Sequence, residues 1–158
     1  MITIRSSLLL KLPTRTLRRD LSQILKCAGV PNYDLGILFT DDAHIRTLNK
    51  RYRNKDRPTD ILSFPFQEAI TPGNLPPPLT EDDKNLGDMI ISIPYVARWC
   101  REHGETLHAR FPVLFAHGVC HLLGYDHETD EDYLEMHDKE SRILESFWEW
   151  KGKLGRRR

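Results

Sequence analysis

The sequence predicts an α/β (α+β) fold: one compact domain whose small mixed sheet of about four strands is covered by helices. Three observations lead there. Segments of β-compatible patterning are interleaved with segments of helical periodicity. The 158 residues suffice for one domain with a real core. No internal repeat and no linker divides residues 1–158.

The elements read in the order βαβαββααα. Ile2 and Ile4 alternate as in a strand, which spans about Ile2 to Ser6. Pro13 and Thr14 open a helix with Leu17, Leu21, Ile24 and Leu25 on one side, and Gly29 and Pro31 stop it. Asp34 to Thr40 is apolar and extended. Asp41 or Asp42 caps a second helix that passes Leu48 and ends at about Arg51. The next residues are polar and Pro-containing, hence loop, and lead into an extended stretch from Ile61 to Phe66, where Pro65 points to a sheet edge. Ala69 to Asn85 carries four prolines and reads as a surface loop of the kind an insertion leaves. Leu86 to Ile93 is the last strand. Pro94 suits the first turn of a helix reaching about His103. Leu107, Phe111, Leu114, Phe115, Val119 and Leu122 mark a largely buried helix. Thr129 or Asp130 caps the last helix, with Tyr133, Met136, Ile143, Leu144 and Phe147 facing inward, and residues 151–158 are expected to form a disordered basic tail.

Composition excludes little but steers the rest. Lys plus Arg and Asp plus Glu are both 23, so net charge gives no case for a nucleic-acid partner and only local clustering can. Cys27, Cys100 and Cys120 are odd in number and widely spaced, which argues against a disulfide framework and for a reducing compartment. No apolar run approaches the ~20 residues of a membrane span. From Met1 to Arg19 there is no acid but five basic residues, a pattern shared with mitochondrial transit peptides. The same stretch carries strand and helix periodicity, so it is read as the start of the fold rather than as a cleaved leader.

The informative stretch is HGVCHLLGYDH, residues 117–127. Residues four apart on a helix differ by only ~40° around its axis, so His117 and His121 point the same way. Gly124 can take the left-handed conformation that ends a helix, and the turn can return His127 to the same point. Three neutral imidazoles form a facial set for one Zn²⁺ ion and leave a fourth position open, as catalytic sites do. Cys120 lies about 100° from His121 and faces elsewhere; it reads as a buried thiol and not as a nucleophile.

The spacing also matches the zinc-protease pattern H-E-x-x-H-x-x-G-x-x-H, except that Gly118 stands where those enzymes keep their general base. Gly118 takes no proton, which disfavours peptide hydrolysis. Asp126 and Glu128 are nearby carboxylates, read as caps and solvated charge. His44, His103, His108 and His137 have no ligand spacing and read as surface or capping residues. Phosphoryl transfer depends on cationic stabilisation more than on a strong protein base, and Arg46, Lys50, Arg51, Arg53, Lys55 and Arg57 cluster with Asp56 as the one intervening acid. Such a run is either a solvated helix end or a phosphate-binding groove. Trp99, Trp148 and Trp150 could stack on a planar ligand, though core packing or exposure at a chain end is the simpler reading, and Ser63 could equally contact a phosphate backbone or pair with its own strand.

HGVCHLLGYDH, YRNKDRPTDILSFPF and LGDMIIS together resemble the YbeY family of zinc-dependent endoribonucleases, over about Leu35 to Leu144. The resemblance implies a single α/β domain, cleavage of single-stranded RNA, maturation of ribosomal RNA ends, ribosome quality control, and a partner in the small ribosomal subunit. It places the zinc ligands on His117, His121 and His127, and a functionally important basic residue, which would hold a phosphate, on Arg53. Catalysis is thus expected at Arg53 and at the metal held by His117. The Pro-rich insert and DLGILFTD look more like mitochondrial members than bacterial ones, with a cytoplasmic location as the alternative. The competing reading is a non-catalytic ribosome-assembly factor in which zinc stabilises the fold.

Overall fold

The structure is a computed structural model that describes residues 1–68 and 70–155. Four strands form one sheet in the order β1-β2-β4-β3. They are β1 (Ile2–Ser6), β2 (Asp34–Thr40), β3 (Ile61–Pro65) and β4 (Asn85–Ser92). β1, β2 and β4 run parallel, and β3 lies antiparallel to β4 at the free edge, where Pro65 removes a backbone donor. Five α-helices complete the fold: α1 (Thr14–Ala28), α2 (Asp42–Arg53), α3 (Ile93–His103), α4 (Leu107–Leu122) and α5 (Asp130–Gly155). The expected order of elements and the mixed four-stranded sheet are both present.

Alternation along the strands decides where the helices go. Leu35, Ile37 and Phe39 of β2 and Met89 and Ile91 of β4 are all buried, and α1, α4 and α5 pack together over that layer. Leu17, Leu21, Ile24 and Leu25 supply the inner stripe of α1, and Phe111, Leu114, Phe115 and Val119 that of α4. Ile61 of β3 faces α4, whereas Phe64, an odd number of residues on, lies on the opposite face beside Tyr52 of α2. Residues 1–19 belong to this architecture: β1 pairs with β2, and Leu17 is part of the core. Cleavage after Arg19 would therefore remove a strand.

Helix ends follow the local sequence. Asp41 Oδ1 accepts from His44 N at 2.8 Å and Thr106 Oγ1 from Ala109 N at 3.2 Å. Thr129 Oγ1 accepts from Asp132 N while the Asp132 carboxylate accepts from Thr129 N, a reciprocal cap on α5. Asn54, in the left-handed conformation at φ 55°, ends α2 two residues later than expected, so Tyr52 and Arg53 belong to its last turn and not to the loop.

Two expectations need correction at α5. Tyr133 is 55% exposed rather than inward-facing, since it precedes the turn at which Met136 first meets the core. Residues 151–155 of the expected disordered tail are helical, and residues 156–158 lie outside the described residues. The extension has a cause: Lys151 Nζ donates to Asp20 Oδ2 of α1 at 2.5 Å, in a site where both side chains are largely buried.

α4 approaches the sheet closely at Gly118. A Cβ there would lie 2.1 Å from Met89 Sδ and 2.9 Å from Ile61 Cδ1. Gly118→Ala is expected to cost about 1–3 kcal/mol through overpacking, partly offset by the helix propensity of alanine. Denaturant midpoints of both single variants and the double variant check this: the cost should shrink in a Met89→Ala background, and an unchanged cost would show that Met89 is not the obstacle.

Candidate metal centre

α4 is apolar nearly all round, and its last turns are the exception. His117 and His121 face away from the sheet, on the side of the helix left free by Gly118, Val119 and Cys120, which are buried. The chain then turns at Gly124, with φ 87°. A side chain there would be strained and would also strike Ile70, whose backbone oxygen would lie 2.9 Å from the added Cβ. The turn returns His127 to the helix, as the sequence predicted. The candidate ligand atoms of His117, His121 and His127 all lie within 4.8 Å of one another.

Their tautomers follow from their partners. His117 Nδ1 lies 2.7 Å from Glu140 Oε1, and His121 Nδ1 lies 3.0 Å from the Tyr125 carbonyl oxygen. A carboxylate and a carbonyl can only accept, so both Nδ1 atoms carry hydrogen. In the neutral rings both Nε2 atoms are then bare lone pairs, and they face each other at 3.1 Å. Two lone pairs at that distance repel unless a cation or proton lies between them. Burial, reinforced by His117 and then His127, pushes the His121 pKa from 6.5 down to about 4, so a proton is a poor candidate near neutral pH. A metal ion resolves the conflict: ligands 2.0–2.1 Å from a tetrahedral ion lie roughly 3.3–3.4 Å apart, close to the observed spacing.

A cavity of about 110 Å³ opens beside His117 and His127, lined also by Tyr133, Met136, His137 and Glu140. Glu140 was missed in the sequence, whereas His137, read there as a surface residue, is exposed and stands at the cavity's rim. A signal for Glu140 existed: with Met136, Ile143 and Phe147 it falls on the inward stripe of α5, where an acid needs a partner. Gly118 not only lacks a base but has no room for one. Cys120 is fully buried and its thiol is pushed up to about 12 by burial, which keeps it protonated and unreactive. Asp126 and Glu128 are exposed, and Asp126 caps its neighbour by accepting from His127 N. Trp99 is packed between His103 and Arg110.

The Pro-rich loop differs from a bland insertion. Gly73 N donates to Leu123 O at 2.9 Å, Ile70 covers Gly124, and Leu75 packs against the core. It therefore buttresses the turn that delivers His127.

The basic run divides. Arg46 and Lys50 both bond Asp56, which holds its carboxyl below the usual range. Arg51 lies over the Tyr52 ring. Arg53, Lys55 and Arg57 line a cavity of about 240 Å³ with Asn49, Pro58, Thr59 and Tyr95, and none of the three forms an ion pair among the described residues. Arg53 also lines a second cavity along β3, and neither cavity includes one of the three histidines.

Comparison with known proteins agrees with this geometry. The endoribonuclease YbeY family profile matches residues 3–148. Endoribonuclease YbeY of Homo sapiens is 38% identical over 89% of this chain and 80% of its own length. The protein of the same name from Sulfurovum sp. is 40% identical over 84% and 85%. The solution structure of TM1509 from Thermotoga maritima, 26% identical, covers 97% of this chain and 93% of that one with a TM-score of 0.61. With the family profile spanning both the histidine motif and the basic segment, this chain belongs to the endoribonuclease YbeY family.

Proposed function

We propose that this chain is a zinc-dependent endoribonuclease that cuts single-stranded RNA, with His117, His121 and His127 as the metal ligands. The observation that carries the proposal is the pair of bare Nε2 lone pairs held 3.1 Å apart by Glu140 and the Tyr125 carbonyl. Three imidazoles without a thiolate favour zinc and leave a position for water or substrate. Bound there, zinc would supply Lewis-acid polarisation of a phosphoryl oxygen and acidify a water molecule.

The protein's own residues do the remaining work. Glu140 orients His117 and fixes its tautomer through the Nδ1 hydrogen bond. The Tyr125 carbonyl does the same for His121. Arg53, with Lys55 and Arg57 around the same cavity, holds a backbone phosphate by charge-assisted hydrogen bonds. Arg53 shares no cavity with the histidines, so its role is to anchor the strand beside the site and to concentrate negative charge there.

The family relationship supports ribosomal RNA as the substrate and the small ribosomal subunit as the partner, in maturation of RNA ends and ribosome quality control. The human relative, the acid-free first nineteen residues and the loop after Phe66 support a mitochondrial location. Since those residues form β1 and begin α1, any address they carry is retained in the folded protein.

Cleavage of a linear single-stranded RNA should require metal and stop on chelation. His117→Ala should reduce bound zinc, measured by mass spectrometry on protein purified without added metal, to background. Metal-independent cleavage, equal in the wild type and His117→Ala, would sink the proposal. Glu140→Gln keeps an acceptor but loses its charge and should weaken zinc binding about 10–100-fold in a chelator competition. Arg53→Ala should lower kcat/KM about 10–100-fold, the loss of one charge-assisted bond, with metal content unchanged. If Arg53→Ala instead abolishes RNA binding while the wild type never yields a cleavage product, the non-catalytic assembly factor is the better account.

The metal-free protein should be acid-sensitive through His121. The unfolded chain takes up a proton near pH 6.5, whereas the folded site stays neutral down to about 4, so this contribution is complete above 6.5 and is lost as pH falls towards 4. Urea midpoints from pH 7 to 4 should therefore fall less steeply for His121→Gln than for the wild type, and identical slopes would remove His121 from the cause.

A further inference from the structure

Beside the basic cavity lies one whose lining is of a different kind. Tyr52, Arg53, Leu62, Ser63 and Phe64 enclose about 250 Å³ along the free edge of β3. Tyr52 is 56% exposed although it is a large aromatic on the last turn of a helix. Its ring meets Phe64 edge to face, with centroids 5.1 Å apart, and the Arg51 guanidinium lies 5.3 Å from the Tyr52 ring centroid. Leu62 lies on the same face of β3 as Phe64, so the aromatic pair has an apolar floor, whereas Ser63 takes part through its backbone, its side chain lying on the α4 face with Met89. As the outer strand, β3 also offers backbone N–H and C=O groups that no neighbouring strand takes up.

From this we infer that the edge cavity receives one unpaired nucleobase of the RNA, while the adjoining basic cavity receives its phosphate. The inference rests on the RNA reading above and deepens it. Tyr52 and Phe64 supply an aromatic surface that every base can use, because every base has a π-face. The strand edge supplies backbone polar groups for the rim of the base. Arg53 lines both cavities and so stands between base and phosphate. A base in a duplex is stacked on both faces and paired at its rim, and it cannot enter such a cavity. Selection for single strands is then a property of this pocket and not of the metal. The competing occupant of a strand edge is an added peptide strand. Three unpaired cations beside the edge and Pro65 at its end favour RNA.

The test compares two probes that share one backbone: a labelled 2′-O-methyl hexauridylate, and the same hexamer with every base removed. Fluorescence anisotropy on the full-length, zinc-loaded protein gives the affinities, and a gel confirms that the probes stay intact. The wild type should prefer the base-bearing probe. Tyr52→Ala and Tyr52→Leu should each weaken that probe about tenfold and leave the abasic one unchanged, with Tyr52→Trp retaining wild-type affinity. Leucine preserves the apolar contact with Phe64, so a loss in both variants reports the aromatic face and not packing. Equal affinity of the wild type and the Tyr52 variants for the base-bearing probe overturns the inference, as does an equal loss on both probes. A wild type that binds both probes equally removes the base pocket but leaves the RNA reading standing. A wild type that binds neither, or that takes up an extended peptide at β3 instead, removes both.

Discussion

The candidate metal centre depends on two hydrogen bonds made on the outer side of its histidine rings. Glu140 and the Tyr125 carbonyl each take the Nδ1 hydrogen of a histidine, and this turns two Nε2 lone pairs towards one point. Left as neutral rings, the pair is repulsive; protonated, His121 would carry a charge in a buried site that opposes it. The conflict is local and concerns two rings, but holding it requires three separate pieces of chain: α4 for the rings, α5 for Glu140, and the Gly124 turn for Tyr125. Folding stability gained elsewhere maintains a site that a cation completes, which is how preorganised metal centres differ from ligands that merely happen to be near one another.

The rest of the architecture can be seen as support for that arrangement. α4 can sit deep between the sheet and α1 only because Gly118 lets it approach Met89 and Ile61. The residue that permits this approach occupies the position at which zinc proteases keep their base, so the close packing and the lack of a carboxylate at that position come from the same residue. The Pro-rich loop lies over the turn at Gly124, so its bond from Gly73 to Leu123 and the cover given by Ile70 bear on the placement of His127. His127 is the exposed ligand of the three, and it is the one whose position depends on a loop.

Much of this was legible in the sequence where the cause is local. A four-residue spacing, a glycine after it and a third histidine three residues later specify convergence without any tertiary information. Alternation and caps gave each strand and most helix ends. What stayed hidden depends on partners distant in the chain. Glu140 lies 23 residues from His117, and only the crossing of two helices brings them together. The expected tail is helical because Lys151 reaches Asp20, 131 residues away. Tyr133 was misplaced because a helix has an apolar stripe only as long as there is something to pack against, and α5 begins before its core does. The loop's role was invisible because its contacts are one backbone bond from Gly73 and two isolated apolar side chains, Ile70 and Leu75, which form no periodic pattern.

A chain of zero net charge can still present an anion site, and the basic run shows how. Asp56 occupies Arg46 and Lys50, the two cations that lie one helical turn apart on the exposed face of α2. This leaves Arg53, Lys55 and Arg57, which flank the Asn54 turn, converging on one cavity. Charges in a run repel one another, and a single acid late in the run, folded back onto its first two cations, relieves that repulsion there while leaving it intact where a phosphate can relieve it. The field that an RNA strand meets is set by this partition over distances of about a Debye length, roughly 8 Å at physiological salt, and not by the sum over the whole surface. Affinity built in this way should depend on salt through a few phosphates only, as the proposed grip on a short stretch of single strand requires.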